Sequence, residues 1–410
     1  MAFGKYAVDW EERVNFDRLR KQKLEKVQAQ IARDGLGAVM SFDADTIRYC
    51  TSHYVTTPLR ASQMQFAVVP KEGAGAPVVY VAAVADKLRE QMPWMKGNVR
   101  PALRHTKTAS KIEDLARHVD EVGGLMAEWG VTNEPLGIDG STSEFLFGQA
   151  FSQKGIKCVD AKATMLDARA IKTKDEIELL KITCQNTDVV FAAIQDAIRP
   201  GVRECDLVAL ALKILYEQGC DHNEDLVCCS GYNTNPFDLS FTDKPIQPGD
   251  LVYVDVDSAS YMGYKPCVYR TFCCGKATEE QKGLYAEARD MLYAAIEIVK
   301  PGITTLDICE RWPTDPSYWG PSFTKWEQVT PLAVGHGIGL SLHERPFITL
   351  PEAQANPVLL QEGMVIALET WTGKPGGKDG VRLEEDLVVT KDGYEVITKF
   401  PIDELIECWV

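Results

Sequence analysis

The sequence predicts an α/β domain over roughly the first 165 residues, followed by a second domain made of two related halves. Three observations carry this. At 410 residues the chain is too long for one ordinary core, so two domains are the default. Helix-like and strand-like segments alternate through the N-terminal part, the pattern of an α/β domain. Beyond it, "AAIQDAIRPGVRECDL" (Ala192–Leu207) is answered about a hundred residues later by "AAIEIVKPGITTLDI" (Ala294–Ile308). Each echo reads as a helix, a Pro-Gly turn and a new helix opened by a polar cap. Two related halves would place a site at their shared axis.

The first element is a helix, because Phe16, Leu19, Leu24, Val27 and Ile31 recur at helical spacing and Gly35 stands where a C-cap would end it. "GAVMSF" follows as a short buried strand, with "QFAVVP", "PVVYVA" and "LGID" as further strands and helix between Lys111 and Trp129. No phosphate-binding glycine loop occurs here, so a cap or dimerisation role is expected for residues 1–167 rather than chemistry. The charged stretch Ala168–Lys181 reads as the connector that opens a long helix and begins a second domain, 168–410.

Composition narrows the function. The formal net charge is −15, with 59 acidic against 44 basic residues and no Lys/Arg-rich run, which argues against a nucleic-acid partner or an anionic membrane surface. The opening "MAFGKYAVDWEERVNF" has no apolar signal core, and nowhere do about 18 apolar residues run together, so a cytoplasmic protein is expected. The 12 cysteines then read as reduced thiols, the adjacent pairs Cys228-Cys229 and Cys273-Cys274 as small core side chains.

Four segments after residue 250 offer metal-type ligands. In "VDVDSASYMGYKPCVYRTF", Asp255 and Asp257 would share a strand face, and two carboxylates held that closely call for a cation or a proton. Cys267 follows ten residues after the second. "AVGHGIGLSLHERP" places His336 between glycines and His343 seven residues on, two of only 6 histidines in the chain. "EGMVIALETW" reads as a buried strand ending at Glu369. "GVRLEEDLVV" sends Glu384 and Glu385 to opposite faces, with Glu385 the one turned away or solvated. An oxygen-rich set with one imidazole suits Mn, Fe, Co or Zn held for water activation.

Taken in order and spacing, "DVD…GY…C-x-x-RTF", "GHGIGLSLHE", "EGMVIALE" and "GVRLEEDLVVT" resemble the pita-bread family of aminopeptidase P, prolidase and creatinase. The likeness covers essentially the whole chain. It implies a creatinase-like α/β N-terminal domain, an α+β pita-bread catalytic domain with an internal pseudo-twofold repeat, and a homodimer. In that family two Asp, one His and two Glu hold a pair of divalent ions. His336, Glu369 and Glu384 match ligand positions, and His343 matches the histidine that binds substrate and relays protons. Two departures stand out. The family's second aspartate, in "D-x-x-R-T", is Cys267 here, a thiol that suits Zn or Fe better than a bridging role between hard ions. The stretch "CCSGYNTNPFDLSF" has no histidine where peptidases of the family carry a substrate-contacting one; this and the Asp-x-Asp pair are more like the dimethylsulfoniopropionate lyase branch.

The expected function is therefore a metal-dependent hydrolase that cleaves a C–N bond of a dipeptide, small amide or amidino compound. One or two divalent ions would sit on Asp255, Asp257, Cys267, His336, Glu369 and Glu384. His343 would move the proton, and Arg382 would orient Glu384 or a substrate carboxylate. Tyr264 and Lys265 lie close enough in sequence to Cys267 to line the pocket. The alternatives are a C–S lyase of the dimethylsulfoniopropionate type and a non-catalytic binding module.

Overall fold

The structure, a computed structural model, is described over residues 13–103, 106–235, 240–257, 259–313, 315, 334–374 and 376–410. The opening through residue 12 and residues 236–239 of the histidine-free stretch lie outside these. The chain divides into two compact units, Met1–Arg169 and Ala170–Val410.

In the first unit, helix Phe16–Arg33 begins where the Asn15 side chain accepts the Arg18 amide at 2.9 Å. Leu19, Val27 and Ile31 are buried on it, and Gly35 adopts φ +69° just past its end. Six strands form one sheet: β1 (Ala38–Ser41), β2 (Phe66–Pro70), β3 (Val78–Val81), β4 (Val99–Pro101), β5 (Leu136–Asp139) and β6 (Cys158–Asp160). Their order is β4-β3-β2-β1-β5-β6, with β1 antiparallel to β2 and parallel to β5. Strands β4 and β6, three residues each, carry too little pattern to be found from sequence. Helix Lys162–Ala170 runs through the start of the anticipated connector, so the long helix opens later, at Lys174.

The second unit begins with that helix, Lys174–Ala197, closed at its start by a reciprocal Thr173–Glu176 capping box. The Pro-Gly turns of both echoes hold their glycines in the left-handed region, Gly201 at φ +89° and Gly302 at φ +92°. Their caps differ. Thr304 accepts the Asp307 amide at 3.1 Å, whereas Arg203 has no acceptor to offer and its own amide instead donates to the Asp206 carboxylate at 3.0 Å.

Strands β7 (Val227–Ser230), β8 (Leu251–Asp255) and β9 (Tyr269–Cys274) form an antiparallel sheet. A second antiparallel sheet holds β10 (Gly335–Gly337), β11 (Glu344–Ile348), β12 (Val365–Gly373), β13 (Gly380–Val389) and β14 (Tyr394–Val396) in the order β11-β10-β12-β13-β14. Strand β15 (Ile406–Cys408) returns to pair in parallel with β9. Helices Lys174–Ala197 and Glu204–Glu217 bury Phe191, Ile194 and Leu207 with Val252, Val254 and Phe272 of the first sheet. Helix Glu279–Ile296 packs on the second with Ile366, Leu368, Val381 and Leu383.

The sheets are joined where β9 meets β13. Thr271 Oγ1 donates to the Arg382 carbonyl at 2.7 Å and accepts the Arg382 amide at 3.0 Å. Arg270, fully buried, donates to the carbonyls of Glu384 and Phe400 and pairs with Glu385 at 2.9 Å. The "RT" of the motif is therefore structural, a stitch between β9 and the strand that carries Glu384. All 12 cysteines are unbridged, and the two adjacent pairs are buried in β7 and β9.

Candidate metal centre

Strand β13 positions the site through its two-residue period. Val381, Leu383 and Leu387 face the core, while Arg382, Glu384 and Asp386 share the opposite face. Glu385 does turn away from Glu384 but is not solvated; it is buried against Arg270 and also accepts the Thr398 hydroxyl.

Glu369 lies in the middle of β12 rather than at its end, because the strand continues to Gly373. In the β12–β13 register Glu369 stands directly opposite Glu384, and Trp371 opposite Arg382. Arg382 is thus the diagonal neighbour of Glu369. Its guanidinium donates to Glu369 at 2.6 Å and lies 3.8 Å over the Tyr269 ring. It orients Glu369, where the sequence reading assigned it to Glu384 or to substrate.

His336, on β10, donates through Nδ1 to the Gly337 carbonyl at 3.0 Å, since a carbonyl can only accept. That leaves its Nε2 as a buried lone pair with no hydrogen-bond partner among the described residues. Glycines flank it because a Cβ at 337 would overlap the Arg345 carbonyl and one at 335 would come 2.6 Å from the Ala367 oxygen. His343, in the turn before β11, is exposed, with its ring 4.2 Å from that of His336.

Cys267 Sγ, a His336 ring nitrogen and a Glu384 oxygen all lie within 4.8 Å of one another, all three residues buried. Neither Glu384 oxygen has a hydrogen-bond partner of good geometry among the described residues, and the same holds for Asp255 Oδ1. Burial, then the charge of Glu369 and Asp255, pushes the Glu384 carboxyl far above its ordinary range, with a Cys267 thiol contact as partial relief. Burial and then Asp257 do the same to Asp255. Strand β8 ends at Asp255, so strand alternation does not place Asp257, which stands just beyond the end yet near enough to act on its neighbour. Burial lowers His336 to about 4 and keeps it neutral, as a ligand must be. Burial forces the Asp255 and Glu384 carboxyls toward protonation around a neutral imidazole, although Arg382 is close by, so the cluster would gain from a further positive charge.

Several neighbours have partners that the sequence does not reveal. Asp386 accepts the Cys267 amide and the Cys184 thiol, each at 3.3 Å. Glu344, next to His343, forms a buried ion pair with Lys172 at 3.0 Å. Lys265 is buried and pairs with Glu224 at 2.9 Å; partial desolvation of the His343 ring, then His336, lowers its pKa, and Glu369 and Glu224 oppose that shift. Tyr264, also buried, bonds Glu176 at 3.3 Å. Tyr264 and Lys265 are expected near the pocket from their nearness to Cys267, and Asp386 could have been suspected from its spacing two residues after Glu384, but the partners of all of these lie far off in the chain.

Residues 178–391 match the model of metallopeptidase family M24. The chain belongs to that family. It is 31% identical over 272 residues to an Xaa-Pro dipeptidase of Pyrococcus furiosus, covering 65% of this chain and 74% of that protein. It is 26% identical over 420 residues to a dimethylsulfoniopropionate lyase of Roseovarius nubinhibens, covering 98% and 91%. A prolidase from Thermococcus sibiricus shares the fold, with a TM-score of 0.74 at 21% identity over 94% of this chain and 99% of that one. The pita-bread fold and an enzyme of the hydrolase class follow for this M24 member. Members of the family use divalent metal ions. The orphaned His336 Nε2 and Glu384 oxygens fit such an ion. No described helix is long and apolar enough to cross a membrane.

Proposed function

We propose that this M24 enzyme cleaves the C–N bond of a small substrate, an Xaa-Pro dipeptide or a related amide, at a divalent metal centre on β8, β10, β12, β13 and the segment before β9. The observation that carries this is the buried trio of Cys267, His336 and Glu384, with an imidazole lone pair and two carboxylate oxygens that have no hydrogen bond of good geometry among the described residues. Leaving such groups unpaired costs about 1–3 kcal/mol each, a cost that a bound ion would relieve. This also argues against a non-catalytic module.

A bound divalent ion of the Mn, Fe, Co or Zn kind supplies a water acidified toward neutral pH. The chain's own residues do the rest. His343 reaches solvent beside His336 and is held below the ordinary histidine pKa, by partial burial first, so at neutral pH it can accept a proton and pass it to the leaving nitrogen. Arg382 fixes one oxygen of Glu369 and so sets where the other points. Asp255 and Asp257 add negative charge at the end of β8.

The matching left-handed Pro-Gly turns support two halves related by a pseudo-twofold axis. The first unit is assigned a creatinase-like capping or dimerising role, the assembly a homodimer, and the compartment the cytoplasm. The full-length likeness to a lyase gives a second reading, loss of a C–S-bonded group beside a carboxylate. Metal analysis combined with assays on Xaa-Pro dipeptides, small amides and dimethylsulfoniopropionate separates them. Metal-dependent release of proline or an amine supports the hydrolase; dimethyl sulfide alone supports the lyase; a protein with neither ion nor turnover ends both readings.

A further inference from the structure

The family's two-ion arrangement rests on hard carboxylates that bridge. In this chain the trio that converges is mixed: one sulfur, one imidazole nitrogen and one carboxylate. A zinc-type ion binds such donors at about 2.0–2.3 Å, which sets tetrahedral ligands about 3.3–3.8 Å apart. Donors already within 4.8 Å of one another need only a small inward movement to meet that spacing.

The three donors are also held in place by the surrounding structure. The Cys267 amide donates to Asp386 Oδ2 at 3.3 Å, and the Lys265 amide donates to the Gly339 carbonyl at 2.8 Å, so the cysteine is tied both to β13 and to the segment after His336. The Nδ1 bond of His336 selects the tautomer with a free Nε2. Glu384 is paired along its backbone with β12 in the middle of a ten-residue strand. Glu369 and Asp255 stand outside the trio, the first engaged by Arg382 and the second beside Asp257.

We infer that this chain holds a single, thiolate-ligated divalent ion of the zinc, iron(II) or cobalt class on Cys267 Sγ, His336 Nε2 and Glu384, in place of a two-ion carboxylate centre. The inference rests on the metal-dependent reading above and adds ion number, donor identity and selectivity. Softer ions gain from the sulfur donor, so the margin by which zinc or cobalt outcompetes manganese should be wider here than for an all-oxygen set.

The test is titration of metal-stripped full-length protein with Co²⁺, Zn²⁺ and Mn²⁺, with equivalents counted by mass spectrometry. The near-ultraviolet thiolate-to-cobalt charge-transfer band and the sulfur shell in X-ray absorption are followed alongside. The expected result is one equivalent, a charge-transfer band, a sulfur at about 2.3 Å, and Zn²⁺ displacing Mn²⁺ by a wider margin than in Cys267→Asp. Cys267→Ser should lose the band and bind Zn²⁺ at least tenfold more weakly, while Cys267→Asp should shift preference toward Mn²⁺. The absorption measurement on the unaltered protein keeps the test decisive should either variant misfold. Two equivalents, or one equivalent with no sulfur in its shell, overturns the inference and leaves the metal-dependent hydrolase standing. No bound ion at all, with no metal-dependent turnover, overturns both.

Discussion

The buried pair of Lys172 and Glu344 gives a quantitative test of how the segment carrying His343 is held. Both side chains are 1% exposed and their charges meet at 3.0 Å. Glu344 also accepts the Ser341 amide at 3.1 Å, so its carboxylate folds the turn in which His343 sits. Replacing Lys172 with Met strands a buried carboxylate, for which the cost is about 3–5 kcal/mol. Unfolding entropy of about 2.1 cal/mol/K per residue gives about 0.5 kcal/mol/K for a unit the size of Ala170–Val410. The expected fall in that unit's Tm is therefore about 6–10 °C. Glu344→Leu should fall by a similar amount, because it strands the ammonium instead. The double variant Lys172→Met/Glu344→Leu should recover most of the loss, since an apolar pair of similar volume replaces two desolvated charges. Calorimetry of the four proteins reads this directly. Single variants that each cost under about 1 kcal/mol, the size of an exposed pair, would refute the reasoning, as would a double variant no more stable than the singles.

Arg382→Lys keeps the charge but loses the fork on Glu369 and the stack on Tyr269, so kcat/KM should fall about 10–100-fold, as for other groups that orient metal ligands; an unchanged value would remove Arg382 from the positioning role. Chelation should lower the Tm of the Ala170–Val410 unit by about 5 °C when the ion had been present at a hundredfold its Kd, where binding contributes about 2.7 kcal/mol. A Tm indifferent to chelator counts against a resident ion. In the first unit, burial lowers the pKa of His53, whose Nε2 lies 2.7 Å from Gln65 Oε1. The unfolded chain then takes up the proton more readily, so this stability is present above about pH 6.5 and is lost as pH falls below it. The difference in unfolding free energy between the native protein and His53→Gln should shrink between pH 7 and 5; parallel curves would show that His53 stays neutral in neither state's favour.

Local pattern alone was enough for much of this protein. The spacing of Leu19, Val27 and Ile31, the apolar runs of β1, β2, β3 and β5, and the Pro-Gly turns follow from rules that act within a few residues. Candidate ligands could be named for the same reason, because Cys267, His336, Glu369 and Glu384 each sit in a short motif. What the tertiary structure alone decided is which of these meet. Register across β12 and β13 gave Arg382 to Glu369, and the end of β8 at Asp255 left Asp257 beyond the strand. Asp386 reaches a cysteine 119 residues away and another 202 away. Strand pairing and buried-charge matching join distant residues through space, and in one sequence nothing marks two such partners as a pair until the backbone has brought them together.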